Sequence, residues 1–467
     1  MKLELRFFCD KAPQLMEPLM ASLTVVEKPI AELVPRARNP RRHSENQLQQ
    51  LMRSIDHFGF TNPVLIDQNQ TLIAGHGRVE AAKRLGMTQV PTICLSEMSE
   101  HDVCAYVIAD NKLAENAGWD DQLLALEFEY LENLNIDIDL SLTGFELPEI
   151  DIAIQSLTLV DQPEKADPSD QVPEINQGPA VTQTGDVWYI GPHRLICGDS
   201  TNAETYQILL GDLRVQMVFS DPPYNVPIDG HVSGLGKTKH REFEMASGEM
   251  SEIQFTKFLT DVFEQLAHFS ADGSIHFHCM DWRHIPEITS AGRAVYSELK
   301  NLCVWTKTNG GMGSLYRSQH ELVFVFKSGA ATHINNVELG KHGRNRTNVW
   351  AYAGANAFGA GQNDLNLHPT VKPVALVRDA IMDCSHRNDS ILDPFCGSGS
   401  TLIAAHETGR LGYRIEIDPC YCDVIVKRFA ETCGINATLG QDGPTFDDVA
   451  SERAKQSTAE TETMGAN

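Results

Sequence analysis

The chain has 467 residues, which at roughly 150 residues per domain allows two or three domains. Hydrophobic residues make up 42% of it, enough for buried cores, and no apolar run approaches the roughly 20 residues that cross a bilayer. The eleven cysteines form no C-x-x-C pair, which indicates reduced thiols used in packing. We therefore expect a soluble, cytoplasmic protein without a membrane segment or a metal site.

The net charge of −25 argues against a polyanionic partner, but the charge is unevenly distributed. Residues 96–150 hold 14 acidic residues and one basic residue, whereas residues 300–372 hold eight basic residues and three acidic ones. Local fields decide nucleic-acid binding more than the total charge does. DNA therefore remains a candidate partner.

The first elements predict a small α/β domain over 24–150 that ends in an acidic helical part. Residues 1–23 are treated as an extension without a function. The predicted order is a helix at 44–59 capped by Ser44, strands at 63–67 and 71–74, a glycine-opened helix from Gly75, and a strand at 90–95. Apolar residues at helical spacing follow within 97–150.

Residues 151–185 have the composition of a linker, with prolines at 163, 168, 173 and 179 and few large apolar residues. A large domain is predicted over 186–438. The tail, 439–467, is polar and is predicted to be disordered.

The large domain alternates predicted strands and helices, which favours an α/β fold with a doubly wound, Rossmann-like sheet. One buried-type strand, VQMVFSD (215–221), ends on an acid and runs into Pro-Pro-Tyr. Another strand ends at Asp393 and continues as the glycine turn of DPFCGSGST (393–401), followed by a helix. In such folds, ligands bind at the carboxyl ends of strands.

The glycine turn predicts a nucleoside ligand with a positive charge. Gly397 and Gly399 let the backbone approach a ligand, although glycine turns before helices are common in proteins that bind nothing there. The turn is neither G-x-G-x-x-G nor a P-loop, and the acid at the strand end suits a cation better than a phosphate. Glu416, on the next strand, is placed to bind ribose hydroxyls, with Asp418 as the competing candidate. S-adenosylmethionine fits these features.

Three motifs together resemble the amino-methylating DNA methyltransferases. They are DPPY (221–224), HPTVKP (368–373) and DPFCGSG (393–399), and they occur in the order typical of the β group of that family, within about 186–436. This order is a circular permutation of the same sheet, which is tolerable because chain ends lie at the surface.

The resemblance implies a mechanism and a set of roles. Asp221 and the Pro222 carbonyl would accept the two amino hydrogens of a flipped base, Pro223 would stiffen the turn, and Tyr224 would stack on the base. The resemblance places these further residues at the cofactor: Asp393 on the methionine ammonium, Phe395 against the cofactor, and Thr370, Lys372 and Pro373 over the methionine end. DPPY favours adenine N6 as the acceptor, and cytosine N4 is the alternative.

Other conspicuous residues are interpreted more simply. Cys396 lies inside the glycine turn without a neighbouring base, so packing explains it better than nucleophilic chemistry. His276 and His278 alternate on one strand, so packing explains them better than zinc binding.

The segment 340–366 mixes basic residues with amides and glycines and is predicted to read double-stranded DNA, with a solvated loop as the alternative. The predicted DNA contacts are Arg317, Lys341, Arg344 and Arg346. The sequence leaves a homodimer open.

The segment IAGHGRVEAAKRLG (73–86) resembles the ParB-like N-terminal domain, in which such a turn binds nucleotide phosphates. Gly75, His76, Gly77 and Arg78 are the candidates here, because helix N-terminal amides and an arginine converge on one point. Partition proteins usually have Glu-Arg-Arg where this chain has His76-Gly77-Arg78, so a purely structural or DNA-clamping unit is the alternative. The leading function is a DNA methyltransferase with this accessory domain; a ParB-like DNA-binding nucleotide switch is the alternative.

Overall fold

The fold is described from a computed structural model of the chain. It describes residues 23–134, 139–158, 168–170, 172–173, 178–226, 248–307, 310, 315–337, 344, 346–353 and 371–464. The chain divides into two compact units, Met1–Glu146 and Leu147–Asn467. Among the described residues, no helix is long and apolar enough to cross a membrane.

The first unit is built on a four-stranded sheet with the order β1-β4-β2-β3. The strands are β1 (Val25–Pro29), β2 (Val64–Ile66), β3 (Leu72–Ala74) and β4 (Gln89–Cys94), and the helices are α1 (Glu45–Phe58), α2 (His76–Arg84), α3 (Glu100–Glu115) and α4 (Asp121–Asn133). Helix α1 begins after Ser44, whose side chain accepts a hydrogen bond from the Gln47 amide and so satisfies one free donor of the first turn. The predicted elements of this region are present, with ends shifted by one to three residues.

The second unit contains a sheet that, in the described part of the chain, has ten strands. The strands are β5 (Val187–Ile190), β6 (His193–Cys197), β7 (Val215–Ser220), β8 (Ser270–Met280), β9 (Glu298–Thr306), β10 (His320–Lys327), β11 (Val349–Ala351), β12 (Ser390–Asp393), β13 (Leu411–Glu416) and β14 (Ala437–Leu439). The helices are α5 (Leu147–Thr158), α6 (Ala203–Leu210), α7 (Glu252–His268), α8 (Ile285–Val295), α9 (Val374–Cys384), α10 (Ser400–Glu407), α11 (Pro419–Cys433) and α12 (Phe446–Met464).

The centre of this sheet is parallel, and its order places later strands beside earlier ones. The full order is β11-β9-β10-β8-β7-β12-β13-β6-β5-β14, with parallel pairing from β8 through β6. Two apolar clusters of buried residues include members of this sheet. The predicted doubly wound α/β fold is confirmed. Its parallel centre brings the carboxyl ends of β7, β12 and β13 to one edge.

Part of the predicted linker is packed onto the second unit instead of spanning between domains. Asp151, on α5, is buried and accepts hydrogen bonds from Arg410 at 2.7 and 3.3 Å. Further along, the Thr182 backbone and hydroxyl both donate to Asp423. Composition misled the prediction because these contacts are made by single polar groups, which an apolar-residue count does not register.

The tail also differs from the prediction. Leu439 ends β14, which pairs with β5, and helix α12 then buries Phe446 and Val449. Arg453, on α12, also forms an ion pair with Asp186, the residue before β5, at 2.5 Å. Two apolar residues one helical turn apart are enough to hold the start of this otherwise polar helix.

Candidate active site

The first half of the site is the turn that ends β7. Asp221 follows the last strand residue directly, and one of its carboxylate oxygens accepts a hydrogen bond from the Tyr224 hydroxyl at 2.7 Å. Pro222 is buried, Pro223 is half-buried, and neither carries a backbone N–H donor. Tyr224 packs against the edge of both apolar clusters. The four predicted residues therefore form one rigid turn.

Asn225 fixes where the chain goes next. It adopts the left-handed conformation with φ 52°, which asparagine tolerates better than most residues. Its side chain donates to the Met250 carbonyl at 2.7 Å and accepts from the Gly248 and Met250 amides. Residues 227–247 lie outside the described part of the chain, and the segment that begins at Gly248 is held against the 221–224 turn by this amide.

Asp221 belongs to a cluster with three further charged residues, which are linked to it through Lys372. The Lys372 ammonium lies 2.5 Å from the second Asp221 oxygen and 3.1 Å from a Glu321 oxygen. Glu321 also accepts from the Tyr224 hydroxyl at 3.2 Å, and Lys307 pairs with its other oxygen. Glu321 and Lys307 were not predicted. The signal for Glu321 was its position in β10, where a single acid precedes an otherwise apolar run, HELVFVFK.

Burial and pairing set the charges of this cluster. Burial raises the pKa of the Asp221 carboxyl. Burial opposes ionisation of Glu321 as well, but Lys372 and Lys307 outweigh it and lower the Glu321 pKa to about 2. The Lys372 side chain is only 5% exposed, yet Asp221 and Glu321 raise its pKa above the ordinary value. Lys372 is thus a buried ammonium held between two carboxylates.

The second half of the site is the glycine turn after β12. Asp393 ends the strand and accepts from the Phe395 amide at 3.0 Å, and Gly397 donates to Glu416 at 2.8 Å. Gly399 has φ 89° and precedes the first residue of α10, and a Cβ there would meet the Ile425 side chain at 3.3 Å. Glycine is required at this position both by the backbone conformation and by the close packing.

Asp393 and Glu416 are buried carboxyl groups at the ends of adjacent strands. Asp393 is 2% exposed, and burial raises its pKa to about 6, opposed by Arg414 and a hydrogen bond from Thr401. Burial raises the pKa of Glu416 to about 7, opposed by the amides of Asp418 and Gly397. Two carboxyls that ionise reluctantly on their own are a suitable place for a cationic ligand, which would restore their charge.

The two halves meet because β7 pairs with β12 and β12 pairs with β13, all parallel. Neighbouring strands lie about 4.8 Å apart, so the side chains at their ends share one edge of the sheet. The Asp221 charge is close enough to contribute to the raised pKa of Asp393. An acidic residue that the sequence did not single out, Asp199, follows β6 at the same edge and is half-buried.

Other predicted cofactor residues are placed as follows. Phe395 is half-buried, with its ring 6.0 Å from that of Phe258. Pro373 precedes the first residue of α9, and the Val374 amide there donates to Asp170. Thr370 lies outside the described residues.

Two of the predicted DNA contacts are used within the protein. Arg344 is 8% exposed and forms an ion pair with Asp383 at 2.7 Å. Arg346 pairs with Asp383 and Asp379, each at 2.8 Å. Both arginines therefore hold their segment against α9 through ion pairs with Asp379 and Asp383. Basic residues near glycines suggested a DNA loop, but the matching acids lie one helical turn apart in a helix over 30 residues away.

The structure constrains the other two predicted DNA contacts less. Arg317 is exposed and donates to the Gly310 carbonyl. Lys341 lies outside the described residues.

His276 and His278 are buried on β8, where both bond to the Tyr296 hydroxyl at 3.0 and 2.9 Å. Burial lowers the pKa of both imidazoles, which agrees with a packing role.

In the first unit, the predicted nucleotide-binding turn begins α2. Gly75 has φ 95°, and a Cβ there would lie 3.1 Å from the Arg78 guanidinium, so the arginine folds back over the turn. Gly77 is buried against His43 and could not carry a side chain without displacing it. Burial lowers the pKa of His76, and its Nε2 is a buried atom with no hydrogen-bond partner among the described residues.

Models of three known families match separate parts of the chain. Residues 16–111 match the ParB N-terminal domain, residues 122–184 the ParB-methyltransferase HTH domain, and residues 215–427 a DNA methylase of the N6/N4 family. The HTH match includes the region that was predicted to be a linker.

Individual relatives match in separate parts. The ParB-like nuclease domain-containing protein YnaK of Escherichia coli is 53% identical over 78 residues, which are 17% of this chain and 90% of YnaK. The type II methyltransferase M.BglII of Bacillus subtilis is 24% identical over 253 residues, 48% of this chain and 66% of that protein. M2.MboI of Moraxella bovis is 24% identical over 230 residues, 47% of this chain and 82% of that protein.

Among solved structures, the M1.HpyAVI-SAM complex matches with a TM-score of 0.35 and 18% identity, covering 50% of this chain and 97% of that one. The cytosine-N4-specific PvuII DNA methyltransferase matches with a TM-score of 0.39 and 13% identity, covering 58% and 93%. From these matches we conclude that the chain belongs to the ParB-like family through its N-terminal part, and that its residues 215–427 match the DNA methylases of the N6/N4 family.

Proposed function

We propose that the protein transfers a methyl group from S-adenosylmethionine to adenine N6 of a specific double-stranded DNA sequence. The observation that carries the proposal is the shared sheet edge: Asp221 ends β7, and Asp393 and Glu416 end the neighbouring parallel strands β12 and β13. Since DPPY precedes the glycine turn in the chain, the order of motifs supports membership of the β group.

The donor half fits S-adenosylmethionine through its buried carboxyls. That compound supplies an activated methyl group on a sulfonium and carries an ammonium and a ribose. Asp393 is placed to bind the ammonium, and Glu416 to accept from the ribose hydroxyls. The pKa values of about 6 and 7 mean that both groups gain from a nearby positive charge at neutral pH. The Gly397 amide already orients Glu416.

The acceptor half fits an exocyclic amine. Such a nitrogen is a weak nucleophile because its lone pair is delocalised into the ring. Asp221 and the Pro222 carbonyl are placed to accept its two hydrogens, which would hold the nitrogen and favour its pyramidal form. Tyr224 would stack on a base that has left the duplex, for about 1–3 kcal/mol. S-adenosylmethionine would supply the methyl group, its sulfur keeping the electron pair of the broken S–C bond, and the methylated nitrogen would release one proton to Asp221 or to water.

Adenine is favoured over cytosine because Asp221 stands where N4-cytosine enzymes more often have serine, as the family resemblance implies. The test is product identity. Unmethylated DNA incubated with the purified protein and S-adenosylmethionine is hydrolysed, and its nucleosides are measured by mass spectrometry. N6-methyl-2′-deoxyadenosine is expected; N4-methyl-2′-deoxycytidine would reverse the choice of base, and the absence of both products would refute the function.

We also propose that the turn Gly75–Arg78 binds a nucleotide phosphate. Three features support this: the α2 N-terminus, the folded-back Arg78 and the unpartnered His76 Nε2. Titration of the full chain with labelled CTP or ATP is expected to saturate below millimolar concentration, and Arg78→Ala should abolish the signal. No binding at millimolar nucleotide would leave the turn with a structural role.

A further inference from the structure

Asp221, the proposed acceptor of the amine hydrogens, already has hydrogen-bond donors within the protein. Both oxygens of Asp221 have donors, the Tyr224 hydroxyl at 2.7 Å and the Lys372 ammonium at 2.5 Å. An amine that gains positive charge as it is methylated would meet this ammonium at the same carboxylate. Like charges at such a distance oppose each other strongly in a buried site. Lys372 must therefore give up Asp221 before the reaction can proceed.

A second carboxylate lies within reach of the ammonium. Glu321, on β10, is 3.1 Å from Lys372 and is half-buried. Its other oxygen is paired with Lys307, which follows β9, so the side chain is fixed at both ends. The aromatic ring of Trp305 lies 5.9 Å from the Lys372 ammonium and 4.7 Å from that of Lys307. The route from Asp221 to Glu321 is thus short and lined by groups that tolerate a cation.

We propose that Glu321 is a positioning residue that takes Lys372 from Asp221 when the target amine docks. This inference rests on the proposed function of the site. Before a base docks, Lys372 holds Asp221 in place and neutralises this half-buried carboxylate. When the amine arrives, the ammonium shifts fully onto Glu321, and Asp221 is left to the substrate. Among the described residues, Glu321 is the one carboxylate besides Asp221 that pairs with the Lys372 ammonium.

Other titratable groups face the cluster and must be considered in its test. They are the Tyr224 hydroxyl, the Cys279 thiol of β8, and Asp393 across the sheet edge. Tyr224 and Cys279 have pKa values raised well above neutrality by burial, so neither changes charge in the working range. Asp393 does change its charge in that range, but saturating S-adenosylmethionine would keep it ionised, so its titration should not appear in the pH profile of kcat/KM.

The experiment compares Glu321→Gln with the wild type in kcat/KM for DNA against pH, at saturating S-adenosylmethionine. We expect a loss of about 10–100-fold, unchanged affinity for S-adenosylmethionine, and an acid limb moved to lower pH, because Asp221 loses a neighbouring negative charge and keeps Lys372. The matched control is Glu298→Gln, an exposed carboxylate on β9 of the same hairpin that pairs with Lys300. It should behave as the wild type.

An unchanged rate in Glu321→Gln, or a lower rate with an unmoved acid limb, would overturn the role of Glu321. If that variant does not fold, Glu321→Asp replaces it: it keeps the charge, and should show a smaller loss with the wild-type acid limb. A loss in Glu321→Asp accompanied by a shifted limb would equally overturn the inference. Wild-type protein without any methyl transfer would refute the proposed function instead.

Discussion

The buried carboxyl of Asp393 gives the affinity for S-adenosylmethionine a predictable dependence on pH. Its pKa of about 6 in the ligand-free protein means that most molecules must release a proton before binding a cation below that pH. Affinity should fall about tenfold between pH 8 and pH 5 from this group alone, since each pH unit below the pKa costs about tenfold. Replacement by Asn removes both the charge and its titration.

Isothermal titration calorimetry measures this directly. At pH 8, Asp393→Asn should bind S-adenosylmethionine about 10–100-fold more weakly, which corresponds to one hydrogen bond to a charged group at about 1.5–3 kcal/mol. The slope of log affinity for S-adenosylmethionine against pH, between pH 8 and pH 5, should be smaller for the variant than for the wild type. Near pH 6, wild-type binding should also release protons, which is detected by repeating the titration in buffers of different ionisation enthalpy.

The matched control is Asp261→Asn, an exposed carboxylate on α7 that pairs with Lys257. It should leave both the affinity and its slope unchanged. Wild-type affinity that is flat from pH 8 to pH 5, or an Asp393→Asn variant with the wild-type slope, would refute the reasoning.

Three further predictions concern residues away from the cofactor. Arg344→Ala should lower the free energy of unfolding by about 1–3 kcal/mol in urea, because Asp383 loses one of its two arginine partners and keeps only Arg346. Tyr296→Phe should cost about 1–3 kcal/mol in the same assay, because two buried imidazoles lose their shared partner. Arg317→Ala should weaken DNA binding and reduce the slope of log affinity against log salt by about one, measured by fluorescence anisotropy.

Each of these has a control and a contradicting result. Tyr316→Phe, on an exposed ring, should leave unfolding unchanged and serves both stability measurements. A stable Arg344→Ala protein with a flattened salt slope would restore that arginine to the DNA interface. Full stability of Tyr296→Phe would show that the imidazoles find other partners. An unchanged salt slope in Arg317→Ala would remove it from the interface.

The sequence was informative where chemistry is carried by neighbours in the chain. Asp221 and Tyr224 lie three residues apart and hydrogen-bond to each other, and the glycine turn is read from Gly397 and Gly399 directly. The alternation of strands and helices predicted the parallel sheet for the same reason, since each strand carries its own pattern.

Features that depend on distant partners could not be predicted. Glu321 meets Lys372 only because β10 and the start of α9 converge at one sheet edge, 51 positions apart in the chain. The helix α5 looked like linker, yet one carboxylate, Asp151, binds Arg410 in the core. Arg344 looked available to DNA until its acidic partners on α9 were known. In each case a single ion pair formed by folding overrides the composition of the segment.

The most direct test of the account is a single-turnover measurement with Asp221→Ala. The variant and the wild type are first loaded with S-adenosylmethionine carrying a labelled methyl group, and unmethylated duplex DNA is then added in excess. We expect equal loading, because Asp393 and Glu416 are intact, and loss of methyl transfer in the variant alone. Transfer at the wild-type rate by Asp221→Ala would contradict the assignment of this carboxylate to the acceptor amine.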